Sequence, residues 1–417
     1  MEDFHMADKQ ADEDYRPREV ARTVAAALES MPVVGITGMR QAGKTTMLLN
    51  EPSLLGREYI NLDDIATLKA MTDNPKSVIS RHEKVTVDEA QRHGELFLAI
   101  KTVVDADRKP GQFLLSGSSS FDLRKGIKES LAGRAIYFKM SPMTAREITG
   151  ATDEPPFLLS LFEGIPAHEK RGGRKTVSDN NVIRGGLPRI ALGMEKDPSL
   201  WFEGFETTYL ERDVSNFARI ANVFGFRDLM HLAALRTAQI LNISGLARDV
   251  GLPVNTAYRY LGFLEESFVI RRIPAFRKSM AKRIVKAPKI VSTDSGLACH
   301  LCGYRDLKAG AMRGQMYETY VAQNLLGITE AHLRDARLYY WRTEGGHEVD
   351  FVLESGEETI AIEVKAGAKW SKSDLSGLRA FAEAFPGCRA GILAYNGTEM
   401  FKLEDNLWAV PIRLLLS

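Results

Sequence analysis

Cysteine is scarce: three residues in 417 cannot build a disulfide framework, and Cys299-x-x-Cys302 has no second pair to complete a zinc site. Apolar runs are broken by charge well before the ~18 residues that a spanning helix needs, so no membrane span is expected. Met1 to Arg18 is acidic and polar, which argues against a secretory leader. Neither sign of charge dominates. With 55 Lys plus Arg against 54 Asp plus Glu, the net charge of +1 excludes a chain drawn as a whole to nucleic acid or anionic lipid, and any basic face must be local. What is present is an ordinary globular balance, 44% hydrophobic and 26% charged, expected in a reducing cytoplasm.

At roughly 100–200 residues per domain the length implies two to four domains. The sequence divides into an acidic tail (1–17), an α/β core (18–150), a linker and helical lid (151–236), a helix-turn-helix module with a basic wing (237–290) and a second α/β domain (291–417). The linker is marked by Pro155-Pro156, Gly172-Gly173 and the charge run from His168 to Lys175.

Val33-Val34-Gly35-Ile36-Thr37 is a short β-branched run that feeds into Gly38-Met39-Arg40-Gln41-Ala42-Gly43-Lys44-Thr45-Thr46 and then the apolar Met47-Leu48-Leu49. Strand, G-x-x-x-x-G-K-T, helix is a phosphate-binding order. The glycines let backbone N–H groups from Gly38, Gln41, Ala42, Gly43 and the helix start through Thr46 turn inward on a phosphate chain. Lys44 would reach the β and γ phosphates of ATP, and Thr45 would ligate Mg²⁺. Downstream, Val85-Thr86-Val87-Asp88-Glu89 reads as a buried strand ending in two carboxylates, Asp88 for the metal and Glu89 as general base. A third strand from Gln112 to Leu115 ends in Ser116-Gly117-Ser118-Ser119, where Ser118, then Ser116, would sense the γ-phosphate.

These strings, with Leu131-Ala132-Gly133-Arg134 and Ser141-Pro142-Met143-Thr144-Ala145-Arg146-Glu147, resemble the prokaryotic AAA+ ATPases that end in the domain of unknown function DUF4143. The resemblance runs from about Arg18 to the C-terminus. It implies a three-layer α/β P-loop core with a helical lid, and a ring of subunits, hexameric in the expected case. It also implies that a helix from Phe121 to Gly133 delivers Arg134 to a neighbour's nucleotide, and that Arg189, after Gly185-Gly186-Leu187-Pro188, reports the γ-phosphate. The plainer alternatives are a helix-end cation for Arg134 and a surface arginine for Arg189.

From Gln239 to Ile270 two short helical patterns flank Gly251. Ser244 is expected to cap the first, while Ala257, Leu261 and Leu264 line the inner face of the second and leave Asn255, Arg259 and Gly262 outward. That pattern suits DNA recognition or protein packing. The following stretch is basic throughout, with Arg271, Arg272, Arg277, Lys278, Lys282, Arg283, Lys286 and Lys289, and would track phosphates as a wing.

In the last third, strands are expected over Arg337 to Arg342, Val349 to Leu353 and Thr359 to Lys365. Asp350, then Glu363-x-Lys365 on the next strand, is the pattern of PD-(D/E)xK nucleases, whose carboxylates hold Mg²⁺. Glu318 lies on an apolar helical face with Val321, Ala322 and Leu325, where a metal or Lys365 would partner it. Such a domain either cuts DNA or grips it. The expected activity is therefore an Mg²⁺-dependent ATPase remodelling duplex or branched DNA, with an ATP-gated nuclease and a protein-binding regulatory switch as rivals.

Overall fold

The computed structural model describes residues 15–118, 130–164, 175–214, 220, 222–277, 286–308 and 310–417. Of the expected basic wing, Lys278, Lys282 and Arg283 lie outside the described residues, as does most of the segment expected to form the helix before Arg134. The chain forms two compact units, Met1–Gly38 with Gly43–Met140, and Met39–Ala42 with Ser141–Ser417.

The first unit is built on a parallel sheet of β1 (Val33–Gly38), β2 (Glu58–Asn61), β3 (Val85–Asp88), β4 (Phe113–Gly117) and β5 (Ala135–Met140), in the order β2-β3-β4-β1-β5. β1, β3 and β4 are buried along their whole length, which is why they read as near-continuous apolar runs. Helix Glu95–Ala106 buries Leu96, Phe97, Ala99, Ile100 and Val104, a helical stripe with steps of three and four. The pairings Asn61 with Asp88 and Val87 with Leu115 bring the C-terminal ends of β2, β3 and β4 together. In parallel sheets that edge is where ligands bind.

The second unit contains the remaining modules. Helix Val223–Leu235, β6 (Gln239–Ile240), helices Ile243–Asp249 and Val254–Glu266, β7 (Ile270–Ile273) and β8 (Lys289–Ser292) follow one another, with the antiparallel sheet ordered β6-β8-β7. The cap of the first short helix is Asn242, whose Oδ1 accepts from Gly245 N at 2.9 Å, and Ser244 lies inside the helix. The chain leaves β6 at Ile240, so helix geometry begins two residues earlier than expected. Gly251 makes the intervening turn at φ 67°, where a side chain would be strained.

Helix Ala311–His332 then covers one face of a mixed sheet: β9 (Arg337–Arg342), β10 (Glu348–Ser355), β11 (Glu358–Lys365), β12 (Cys388–Tyr395), β13 (Phe401–Glu404) and β14 (Leu407–Pro411). The order is β13-β14-β12-β11-β10-β9. β9, β10 and β11 form an antiparallel meander, and β12 joins β11 in parallel after helix Ser376–Ala384. The β10/β9 register slips between Val349 and Val352, so one extra residue is accommodated beside Asp350.

Candidate nucleotide site and nucleic-acid interface

β1 delivers the chain into the phosphate loop, and helix Lys44–Asn50 leaves it. The turn needs two left-handed residues, Gln41 at φ 59° and Gly43 at φ 93°. Gly38 must be glycine, because a Cβ there would collide with the Met140 carbonyl oxygen. Lys44 is 5% exposed and its Nζ donates to the Gly38 carbonyl at 2.9 Å, which folds the ammonium back across the loop.

Asp88 is 1% exposed, and its partners converge from separate elements. Its Oδ2 accepts from Thr45 Oγ1 at 2.6 Å and from the Tyr59 hydroxyl at 2.8 Å. Its Oδ1 accepts from Ser116 Oγ and from Glu89 N at 3.1 Å. Burial, and then the Asp88 charge, push the Tyr59 phenol well above its ordinary value, so it remains a donor. Glu89 has φ 53°, an uncommon conformation for a non-glycine residue, and its Oε2 accepts from Gln91 Nε2 and from Ser118 Oγ at 3.3 Å. Ser116 thus belongs to Asp88 and Ser118 to Glu89. Tyr59 and Gln91 were not singled out from sequence; Tyr59 comes from β2, and only the sheet order reveals it as a neighbour.

These groups suit a nucleotide and its metal. A lysine and a turn of backbone amides meet a triphosphate, and a threonine hydroxyl already paired with a buried carboxylate is the donor set of a hydrated Mg²⁺. Two expected arginines stand differently. Arg134 precedes β5 at the N-terminal edge of the sheet, where it pairs with Asp105 and donates to the Ala132 carbonyl at 3.0 Å. Arg189, in the short helix Pro188–Ala191, donates to Glu195 at 2.6 Å.

On helix Val254–Glu266 the inner face is Ala257, Tyr260, Leu261 and Leu264, while Asn255 and Arg259 are exposed. Val254 at 48% and Tyr258 at 58% exposure share the outside with them. The basic stretch is less of a wing than its composition suggests. Arg271 pairs with Glu330 at 2.9 Å and Arg272 with Glu265 at 3.2 Å. Pro274 to Arg277 are pinned to β9, through Tyr340 N to the Pro274 carbonyl at 3.0 Å and Phe276 N to the Tyr340 carbonyl at 2.6 Å. Lys289 is buried; Lys286 is exposed. Charges adjacent in sequence are separated in space by the strands that carry them.

In the last module Asp350 Oδ2 accepts from Val364 N at 2.9 Å, which ties the bulged β10 to the strand bearing Glu363 and Lys365. Lys365 Nζ lies 3.1 Å from Glu363 Oε1 and 3.4 Å from Asp374 Oδ1. Glu318 meets Lys289, at 2.6 Å, rather than Lys365. Burial first, and then the Asp350 charge, push both Glu318 and Glu363 above the carboxylate range.

Residues 30–149 match the family model of an AAA domain, residues 178–308 that of the domain of unknown function DUF8612, and residues 313–415 that of DUF4143. Among curated proteins the uncharacterized protein Rv2008c of Mycobacterium tuberculosis is 29% identical over 410 residues, spanning 96% of this chain and 84% of its own. Among solved structures the Walker-type ATPase PABY2304 of Pyrococcus abyssi is 17% identical, with a TM-score of 0.44 over 72% of this chain and 99% of that one. The Holliday junction branch migration motor RuvB of Thermotoga maritima is 15% identical, with a TM-score of 0.31 over 63% and 92%. With its phosphate loop and its Asp-Glu strand, the segment 30–149 is an AAA-type P-loop ATPase domain, and 313–415 is a DUF4143 domain.

Proposed function

We propose that the chain hydrolyses ATP with Mg²⁺ and couples turnover to binding and remodelling of duplex or branched DNA. The observation that carries the ATPase reading is the convergence of Thr45, Tyr59 and Ser116 on Asp88, with Glu89 beside it, steadied by Gln91 and Ser118. Lys44 would exchange the Gly38 carbonyl for phosphate oxygens. Thr45 and Asp88 would hold the metal, which when bound neutralises charge on the phosphates. Glu89, beside Asp88, would accept the proton of the attacking water. Lys44→Ala should lose nucleotide binding, whereas Glu89→Gln should keep ATP bound and slow turnover by about 10²- to 10⁴-fold. Equal loss of affinity in both variants would sink this assignment.

The DNA reading is supported by the order helix, strand, helix, helix, strand, strand around the sheet β6-β8-β7, the arrangement of a winged helix. Asn255, Arg259 and Lys286 are among its exposed polar groups, as is Arg248. The succession of helix Ala311–His332, a three-strand meander, a crossover helix and a parallel strand supports a nuclease-like fold for the last module, used as a grip on DNA. The exposed Val254 and Tyr258 favour a second reading, in which the same helix docks a protein partner and the ATPase acts as a switch. Assembly into a hexameric ring in the cytoplasm rests on the family resemblance.

A further inference from the structure

The pattern Glu318, Asp350, Glu363, Lys365 belongs to a divalent-metal site, yet the side chains as folded do not fit one. Among the described residues no three His, Cys, Asp or Glu side chains are arranged to hold a metal ion. The position between Glu318 and Asp350 is filled from outside the pattern. Lys289 Nζ lies 2.6 Å from Glu318 Oε1, 3.3 Å from Asp350 Oδ1 and 3.5 Å from Glu348 Oε1. Lys289 is 1% exposed, with its ammonium 5.8 Å from the Tyr340 ring centre and 5.6 Å from that of Phe351.

We propose that Lys289 is the resident cation of this carboxylate cluster, standing where nucleases of this pattern bind a divalent ion, and that removing its ammonium turns the cluster into a metal site. An ammonium and a divalent ion cannot share the position: their charges repel, and Mg²⁺ needs oxygens at about 2.1 Å in space the ammonium occupies. The other end of the cluster is also settled without metal. Lys365 takes Glu363 Oε1, and Glu363 Oε2 is buried with no hydrogen-bond partner. Lys289 arrives on β8, the last strand of the helix-turn-helix module, so that module supplies the plug. On this account the last module grips without cutting.

The test uses the full chain without nucleotide and Mn²⁺ as the probe, counted by the electron paramagnetic resonance of free Mn²⁺. Wild type and Asp350→Asn should give the same isotherm. Lys289→Met, which keeps an unbranched stem, should gain one site at least about tenfold tighter than wild type shows for Mn²⁺. Lys289→Met/Asp350→Asn should lose that site, and Mn²⁺ should raise the thermal midpoint of Lys289→Met alone. A wild-type Mn²⁺ site that Asp350→Asn removes would overturn the proposal, as would a folded Lys289→Met that gains none. A second arm needs no variant: Lys289 should stay protected from an amine-acylating reagent at saturating Mn²⁺, and labelling that rises with Mn²⁺ would show the metal displacing it. Neither arm uses ATP or DNA, so failure here leaves the proposed function standing.

Discussion

Asp294 is fully buried, and its carboxylate is spent entirely on backbone: Gly186 N donates to Oδ2 at 2.7 Å and Leu297 N to Oδ1 at 2.8 Å. Burial lifts its pKa to about 6, against the pull of these hydrogen bonds, from an ordinary 3.8. Between those values the folded chain keeps a proton that the unfolded chain has released. Stability from this group therefore falls as pH rises from 3.8 to 6 and is level above that, a change of about 3 kcal/mol at ~1.4 kcal/mol per unit. Asp294→Asn lacks this titration. Denaturant unfolding of both proteins from pH 4 to 7 should show the difference moving in favour of the variant as pH rises; a pH-independent difference would contradict the assignment. At the same scale, Arg134→Ala should leave ATP turnover per subunit nearly unchanged at any protein concentration, because the guanidinium is engaged by Asp105 of its own chain. A steep loss of turnover with ATP affinity intact, rescued by mixing with Lys44→Ala protein, would instead establish a role across a subunit boundary. Lys44, Asp88 and Glu89 were legible in sequence because each lies in a contiguous motif. Tyr59 and Lys289 were not, since their partners lie 29 and 61 residues away and are found only when strands are ordered.

Among the elements, Thr144-Ala-Arg-Glu147 shows what a motif noticed as wording does physically. Thr144 Oγ1 accepts from Glu147 N at 3.2 Å, and Glu147 Oε2 accepts from Thr144 N at 3.0 Å, a capping box that starts helix Ala145–Thr149. That helix start is held to helix Ala311–His332, with Ala145 N on Asn324 Oδ1 at 2.6 Å. The contact is tight at Gly327, where a Cβ would stand 2.6 Å from the Thr144 methyl. Alanine favours a helix interior over glycine by up to ~1 kcal/mol, but overpacking a closed contact costs about 1–3 kcal/mol, so Gly327→Ala should be destabilising. Thr144→Ser removes the methyl and keeps the cap; combined with Gly327→Ala it should recover most of the loss in a thermal melt. If Gly327→Ala alone is stabilising, the close approach is not real. The apolar strands β1, β3 and β4 were readable because burial on both faces leaves an uninterrupted signature. The basic stretch misled because charge was summed along the chain, while Glu330, Glu265 and Glu318 reach Arg271, Arg272 and Lys289 from other elements.

For the whole molecule, near-neutral net charge leaves local patches to decide what is bound. Arg248, 83% exposed along its side chain, and the exposed Arg259 lie on the two short helices. Replacing both with Glu should weaken DNA binding across sequences and flatten its salt dependence by about one unit of slope per lost phosphate contact, with basal ATP hydrolysis unchanged. Unaltered affinity and slope would shift the assignment toward the protein-docking reading. The division of the chain after Met140 was not visible in sequence, where Ser141 to Glu147 read as the end of the core. Hydrogen bonds from that segment run about 180 residues ahead, a separation that no local pattern encodes.

The slip in β10 gives chain length, as distinct from residue identity, a hold on the chemistry of the last module. Deleting Phe351, the residue that can go from between Val349 and Val352 without removing Asp350 itself, would take the extra residue out of the ladder against β9 while shifting Asp350 relative to both Val364 N and Lys289. A single-codon deletion there disrupts the cluster with every acidic and basic letter of the motif still in the gene.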